Sequence, residues 1–346
     1  MSQRKKVAVV ILGWNGKQYL QQFLPSVIQH TSVELCDLIV ADNCSTDGSV
    51  EFVKEHYPQI RIVQNSRNGG YAGGYNHALK LVDAEYYVLL NQDVEVTQGW
   101  VEKVIEVMET DKTIAAAQPK LLDYNKRNCF EYAGACGGYL DKFGYAFCRG
   151  RIFDTIEKDE GRYNDIVDIF WATGACLFIR SEAYRNAGGL DEDFFAHQEE
   201  IDLCWRLKSM GMRVVCVPQS VVYHVGGGSL AYDNPQKTYL NFRNSLFMLF
   251  KNLPASALWW RLLIRFQMDE LAAMRSVFKN GNFKIFFAIL KANLAFLVAI
   301  PALLKKRKHI PQKSSEALLP YSVVWQYFLK GKKKFSELPT GDRRGE

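Results

Sequence analysis

Short apolar runs punctuate the first third of the chain, at Val7–Leu12, Leu35–Ala41, Ile60–Val63, Tyr86–Leu90 and Ile114–Ala117. Runs of this length bounded by polar residues read as buried strands. The segments between them span roughly 10 to 20 residues and carry helix signals. Thr46-Asp47 precedes a helix predicted over Ser49–His56, and Thr97 precedes one over Trp100–Met108. This β-α-β-α rhythm predicts an α/β fold with a mostly parallel central sheet and helices on both faces. In such sheets ligands bind beyond the carboxyl ends of the strands.

After about residue 118 the pattern becomes irregular, with a Gly-rich, aromatic stretch at Tyr132–Gly150. Strands are predicted again at Ala175–Ile179 and Val214–Val217, with a helix over Glu199–Ser209 between them. From Lys251 the chain turns to long apolar and basic segments. The run Phe283–Leu304 is nearly membrane-like, but Lys284 and Lys291 interrupt it and Pro301 is expected to break a helix. Its longest uncharged piece, Ala292–Leu304, falls short of the ~20 residues of a membrane span. The expectation is an in-plane interfacial helix or hairpin followed by the Lys305-Lys306-Arg307-Lys308 cluster, ahead of a helix packed on the body or a true insertion. The chain thus divides into a catalytic body, residues 1–250, and a basic, amphipathic helical region, residues 251–346.

Charge sharpens that division. Residues 251–346 hold 18 Lys and Arg against 6 Asp and Glu, so the net +6 of the chain conceals an acidic body. A nucleic-acid binder carries its positive patch on the recognition domain itself, so nucleic acid is not an expected partner. A basic tail fits an anionic membrane surface instead. The apolar run after Met1–Lys6 is too short for a secretory signal, so a cytoplasmic protein, peripheral at the inner face of the membrane, is expected. The 8 cysteines include no C-x-x-C pair and read as buried thiols of a reducing compartment rather than zinc ligands.

Candidate chemistry gathers at the predicted strand ends. The first strand ends in Leu12-Gly13-Trp14-Asn15, and the second in Asp42-Asn43-Cys44-Ser45-Thr46-Asp47. A carboxylate just past a parallel strand, ahead of small polar residues opening a helix, is placed to accept hydrogen bonds from a base or ribose, although Asp and Ser are also ordinary helix caps. Asn91-Gln92-Asp93 sets two oxygen-bearing side chains at i and i+2, on one side of the chain, where they can meet one hard cation, Mg²⁺ or Mn²⁺. A solvated turn is the alternative. Four glycines in Asn68–Asn76 permit close backbone approach, so that amides can face a nucleotide. The planar fork of Arg243 can engage two oxygens of one anion, and Trp171, with Thr173 and Gly174, offers a flat apolar wall; a surface arginine and a core tryptophan are the plain alternatives.

These pieces, in this order, resemble the family 2 glycosyltransferases of the GT-A fold, especially the bacterial branch containing rhamnosyltransferases of cell-surface polysaccharide assembly. The resemblance rests on Val9–Asn15, Val40–Ser49, Asn68–Asn76, Leu89–Val94, Thr173–Ile179, Phe194–Arg206 and His224–Ser229, and so covers roughly residues 5–250. It implies that Asp42 contacts the nucleotide base and that Asn91-Gln92-Asp93 stands for a D-x-D element holding metal and diphosphate. Asn91 replaces the Asp of many relatives, which leaves Asp93 as the main anionic ligand, with His224 completing the shell. The resemblance places the nucleotide sugar on Leu12, Trp14, Asn15, Asp42, Ser45, Asn68, Gly69, Gly70, Gly74, Asn76 and Asn91, with Arg243 on the phosphates.

Relatives show Glu-Asp at the positions of Glu199-Glu200, the second carboxylate being the catalytic base; here the base is Glu200 or Glu199. Inversion by single displacement needs such a base on the acceptor side, opposite the leaving group. The implied activity is a metal-dependent, inverting transfer from a nucleotide-diphosphate sugar, with a lean toward rhamnose. The implied acceptor is a hydroxyl of a glycan, such as a polyprenyl-linked oligosaccharide, with Trp171, Thr173 and Gly174 as the candidate acceptor wall on which a sugar ring stacks. Two rivals stand beside it. A nucleotidyltransferase needs a strongly basic N-terminal Gly-rich loop, where this chain offers only Lys17. A catalytically silent nucleotide-sugar-binding or scaffolding subunit would not need Asp93 and Glu200 retained together.

Overall fold

Residues of the first strand, β1 (Val7–Gly13), alternate between two hydrophobic cores. Val7, Val9 and Ile11 enter one, Ala8 and Val10 the other, as the two-residue period of an extended chain requires. Burial of both faces is why the run reads as continuously apolar. The computed structural model describes residues 5–226, 234–311 and 318–339, and in it β1 lies inside a nine-stranded sheet.

The other strands of that sheet are β2 (Cys36–Asp42), β3 (Arg61–Gln64), β4 (Tyr86–Asn91), β5 (Val94–Val96), β6 (Ile114–Asp123), β11 (Val167–Asp168), β12 (Cys176–Arg180) and β13 (Arg213–His224). Their order is β11-β13-β6-β12-β4-β1-β2-β3, with β5 paired to β13. The half from β4 to β3 is parallel, as expected, while β12 enters antiparallel between β4 and β6. Helices α1 (Lys17–His30), α2 (Ser49–His56) and α4 (Trp100–Thr110) contribute their apolar sides to one core. The other core takes α3 (Gly70–Leu79), α5 (Ser181–Asn186) and α6 (Glu199–Ser209).

Both β6 and β13 run well past their expected ends. Gln118 and Lys120 are buried polar residues inside β6, and a register shift between Val217 and Val221, around Pro218, interrupts β13. Those features hide the strands from a reading based on apolar runs. The irregular stretch before residue 150 contributes most of a four-stranded antiparallel sheet, β7 (Gly138–Leu140), β8 (Ala146–Cys148), β9 (Arg151–Ile152) and β10 (Thr155–Ile156), whose strands are too short for periodicity to register.

Residue 250 is not a break in packing. Helix α7 (Pro235–Asn252) runs through it, and Phe247, Leu249 and Phe250 share a core with Phe194 and Trp205 of the body. Helices α8 (Ala255–Asn280) and α9 (Phe283–Arg307) follow, and α10 (Val323–Phe328) brings the chain back to the small sheet. There Leu319 N donates to Leu140 O, and Phe335 lies against Tyr139 and Phe147.

Two expectations for the C-terminal region require correction. Pro301 does not break α9, which continues to Arg307. The proline and Leu297, whose carbonyl it leaves without its usual N–H partner, are both exposed, so that carbonyl is not sealed in a core. Nor does the basic cluster face outward as a unit. Lys306 pairs with Asp191 and, at 2.6 Å, with Asp193, while Arg307 donates to Phe250 O, leaving Lys305 and Lys308 exposed.

Candidate active site

The carboxyl ends of β1, β2 and β4 form one row, with Gly13 opposite Asp42 and Leu12 opposite Asn91. Strand order reverses between β1 and β4, the point at which open α/β sheets place their ligands. Trp14 stands at this edge, 48% exposed. Behind it the loops lock together. Asn15 N donates to Ser45 Oγ at 2.9 Å, Thr46 N donates to Asn15 Oδ1 at 2.8 Å, and the buried Asp42 carboxylate accepts from Ser45 N at 3.2 Å. Asn15 and Ser45 therefore shape the crevice rather than offering free side chains to it.

The glycine stretch is also used internally. Asn43, which the sequence did not single out, is buried; its Nδ2 donates to Asn68 Oδ1 and to Gly70 O, both at 2.9 Å, and its Oδ1 accepts from Gly69 N at 3.2 Å. Gly70 N donates to Asn68 Oδ1 at 2.8 Å. The expectation that the Gly69 and Gly70 amides face a nucleotide is thus corrected: side-chain acceptors already hold them. Gly70 is required by contact and by backbone, because its φ is +66° and a Cβ there would lie 2.3 Å from Phe195 O. Gly74 packs on Leu12, and Asn76 spends its amide on Leu190 O, Glu192 and Tyr184, tying α3 to the loop before α6.

Asn91, Asp93 and His224 come together as the residue types suggested. Pairing of β5 with β13 sets His224 opposite Val94, so that its Nε2 lies 3.2 Å from Asp93 Oδ1 and 3.5 Å from Asn91 Nδ2. Burial alone would lower the imidazole, but Asp93 on one side and Glu131 on the other push it well above its usual value. Burial would raise Asp93, and His224 outweighs it, holding the carboxyl below the ordinary range. Among the described residues no three His, Cys, Asp or Glu side chains form a closed metal cage. A buried carboxylate and an imidazole nitrogen at a strand end fit a hard divalent cation that takes its remaining ligands from phosphate and water, and Asn91, whose Nδ2 faces His224, would add its oxygen on turning its amide over.

Glu199 and Glu200 open α6 after a strained loop. Phe195, His197 and Gln198 have φ of 63°, 72° and 74°, and Ala196 N donates to Phe194 O at 2.7 Å, closing a γ-turn on Phe195 of the rare, strained kind. The loop is gripped from α7. Buried Asn244 donates through Nδ2 to the carbonyls of Phe194, Ala196 and His197 at 2.9, 2.9 and 2.7 Å. Arg243 Nη2 donates to Asp193 O and Phe194 O, so this guanidinium holds the loop rather than lying free for a diphosphate.

Burial raises both carboxyls. Glu199, beside Glu200 and without a partner for Oε2, is pushed well up, and Glu200 to about 7. Glu200 keeps some solvent access, whereas Glu199 is 3% exposed.

The expected acceptor wall is corrected. Trp171 is buried, its Nε1 donates to Tyr139 O, and its ring covers Gly138, so it belongs to the core. Thr173 is likewise buried, its N bonded to Gln118 Oε1. Gly174, partly open, accepts from Tyr71 through its carbonyl at 2.6 Å. The Gly-rich loop over Gly227–Ser229 lies outside the described residues.

An open sheet edge at the strand reversal, a potential cation site beside it and a carboxylate pair at a helix start are the groups that a transferase of phosphate-linked substrates needs. Comparison with known proteins makes this specific. Residues 8–174 match the glycosyl transferase family 2 model. The chain is 24% identical over 282 residues to N-acetylglucosaminyl-diphospho-decaprenol L-rhamnosyltransferase of Mycobacterium tuberculosis, covering 78% of this chain and 91% of the relative. It is 24% identical over 227 residues to rhamnosyltransferase WbbL of Escherichia coli, covering 63% and 83%. In fold it is similar to the S. aureus TarS 1–349 structure, with TM-score 0.56 at 14% identity over 87% of this chain and 83% of that one. It is similar also to mannosyltransferase PcManGT of Pyrobaculum calidifontis in complex with GDP-Man and Mn²⁺, with TM-score 0.53 at 14% identity over 86% and 88%. Residues 8–174 thus match a family 2 glycosyltransferase domain, the fold is that of the GT-A enzymes, and a glycosyltransferase activity is supported.

Proposed function

We propose that this glycosyltransferase is inverting and metal-dependent, and that it moves a sugar, rhamnose being the first candidate, from a nucleotide diphosphate to a hydroxyl of a polyprenyl-linked glycan. The observation that carries the reading is the meeting of Asp93, Asn91 and His224 at the strand reversal. Asp93 and His224 Nε2, with Asn91 beside them, would hold Mg²⁺ or Mn²⁺, which when bound would offset the charge growing on the departing diphosphate. The nucleotide lies across Leu12, Trp14 and the Asp42–Ser45 turn.

Glu200 takes the acceptor proton. As the acceptor oxygen forms its bond to the anomeric carbon, the O–H proton passes to a Glu200 carboxylate oxygen and the bond from carbon to diphosphate oxygen breaks with its electron pair. A carboxyl raised to about 7 is matched to that task near neutral pH. Glu199, more deeply buried and beside the Glu200 charge, is raised further.

The proposed location is peripheral, at the inner face of the cell membrane, with the lipid-linked acceptor in that membrane. Large apolar side chains on α8 and α9 support it. Trp259, Leu263 and Phe278, and then Phe283, Phe287, Leu294 and Val298, are each at least 60% exposed. Helix α9 is long and apolar enough to cross a membrane, yet 33% of its most apolar window is buried on the body, which favours an in-plane arrangement.

The test is a panel of nucleotide sugars offered to the purified protein with Mg²⁺ or Mn²⁺, scoring binding and slow donor hydrolysis. One donor class is expected to be hydrolysed with metal and not with a chelator. Asp93→Ala turning over as fast as the parent would refute the reading.

A further inference from the structure

We propose that Glu131 is a positioning residue for the cation site, holding the His224 ring so that Nε2 points at the metal; this rests on the metal-dependent reading above. A histidine ligand needs its second nitrogen satisfied, since the proton on that nitrogen fixes both the tautomer and the rotation of the ring. Glu131 Oε1 lies 3.2 Å from His224 Nδ1, on the opposite edge of the ring from Asp93. Neither atom has a hydrogen-bond partner among the described residues, the two meet as a close charged contact, and both side chains are buried, at 2% and 7% exposure.

The carboxylate is itself held. Its Oε2 accepts from Ala133 N at 2.7 Å, and Glu131 N donates to Leu121 O at 3.0 Å. His224 hangs from the same strand, opposite Asp123 of β6, with its carbonyl accepting from Tyr124 N at 3.0 Å. Both ends of the contact are therefore anchored to β6. Other charged groups nearby are committed elsewhere or act at longer range. Arg151 donates through Nε to Tyr132 O at 2.7 Å, and Lys237 interacts with Glu131 through space. A ring turned so that Nδ1–H points at Glu131 would leave the Nε2 lone pair on the side of Asp93 and Asn91, from which a cation would be bound. A plain buried counter-ion would neutralise the ring without any need to orient it toward those two residues.

The experiment titrates Mn²⁺ alone into the full chain and reads free Mn²⁺ by electron paramagnetic resonance, for the parent, Asp93→Ala, His224→Ala, Glu131→Gln and Glu131→Leu. Thermal unfolding identifies any variant that fails to fold, and the isosteric Glu131→Gln decides if Glu131→Leu does not fold. Expected is loss of binding in the first two variants and weakening of about 10- to 100-fold in Glu131→Leu, less in Glu131→Gln because its amide oxygen still accepts from Nδ1–H. Turnover by the Glu131 variants should recover at high Mn²⁺. Parent-like Mn²⁺ affinity in both Glu131 variants, with binding lost in Asp93→Ala and His224→Ala, overturns the role of Glu131 alone. Undiminished binding in Asp93→Ala and His224→Ala, or no binding by the parent, overturns the metal reading itself.

Discussion

Lys251 and Asp202 meet beneath α6, Nζ to Oδ2 at 2.9 Å, at 2% and 0% side-chain exposure. Asn252 Nδ2 donates to the other Asp202 oxygen at 2.8 Å, and Lys251 also reaches Asp191 at 2.6 Å, where Lys306 of α9 arrives from the far side. The helix that begins with Glu199 and Glu200 is thereby tied through two carboxylates to the helices proposed to meet the membrane. Burial would raise the Asp202 carboxyl, and Lys251 with Arg206 holds it below the ordinary range.

Removing Lys251 takes a buried cation from two carboxylates, leaving Asp202 to Arg206 and Asn252 and Asp191 to Lys306. Lys251→Met is expected to lower stability by about 3–5 kcal/mol, read as a fall in denaturant midpoint at unchanged slope. Because the native Asp202 carboxyl lies low, its contribution is present at neutral pH and is lost as pH falls toward the acid range. The penalty of Lys251→Met should shrink in the same direction. A penalty below about 1 kcal/mol at pH 7, the range of an exposed pair, would show that the pair is not sealed as described.

The carboxyls of Glu200 and Glu199 lie above the ordinary range, and a base works only when ionised. Turnover per bound donor is therefore expected to rise with pH up to about 7 and then level off, in place of a limb near the usual carboxylate value. Glu200→Gln should cost about 10²–10⁴-fold in kcat, and Glu199→Gln far less, since its neutral isostere resembles a protonated glutamic acid. Reversal of that ranking would move the role of base to Glu199.

Asn244 satisfies three carbonyls of a loop containing three residues at positive φ. Asn244→Ala should free the loop to relax, lowering kcat by about 10²-fold with little change in donor KM. Stability should fall by about 1–3 kcal/mol. Unaltered kcat, measured alongside thermal unfolding, would reduce the clamp to a fold element.

Membrane attachment is tested on the exposed apolar side chains. Trp259→Ser, Leu263→Ser and Phe287→Ser combined should leave the fold intact, because those side chains are 62–63% exposed. Co-sedimentation with anionic vesicles should fall at least about tenfold. Charge alone is expected to matter less than the count of basic residues suggests, because Lys306 and Arg307 are spent on the body. Undiminished sedimentation would place the lipid contact elsewhere.

The sequence by itself determined the parallel half of the sheet and the polar residues at its carboxyl edge. Strands buried on both faces must be continuously apolar, so β1, β2 and β4 were legible to within a residue or two, and α2 and α6 fall where their polar starts placed them. Polar residues immediately after such strands have nowhere to lie except the carboxyl edge, which is how Asp42, Asn91 and Asp93 were found.

Tertiary structure decided which of those side chains remain free and which are consumed. Hydrogen-bond demand is settled by neighbours distant in the chain. Asn43 claims the amide of Gly69, Asn244 and Arg243 claim the loop before α6, and Trp171 closes over Gly138. None of these pairings leaves a local signature, and Glu131, on no predicted element, had no pattern to mark it beside His224. Lys306 reads as one more surface charge until Asp191 and Asp193 are folded against it, because burial and partnership belong to the packed chain and not to the residue type.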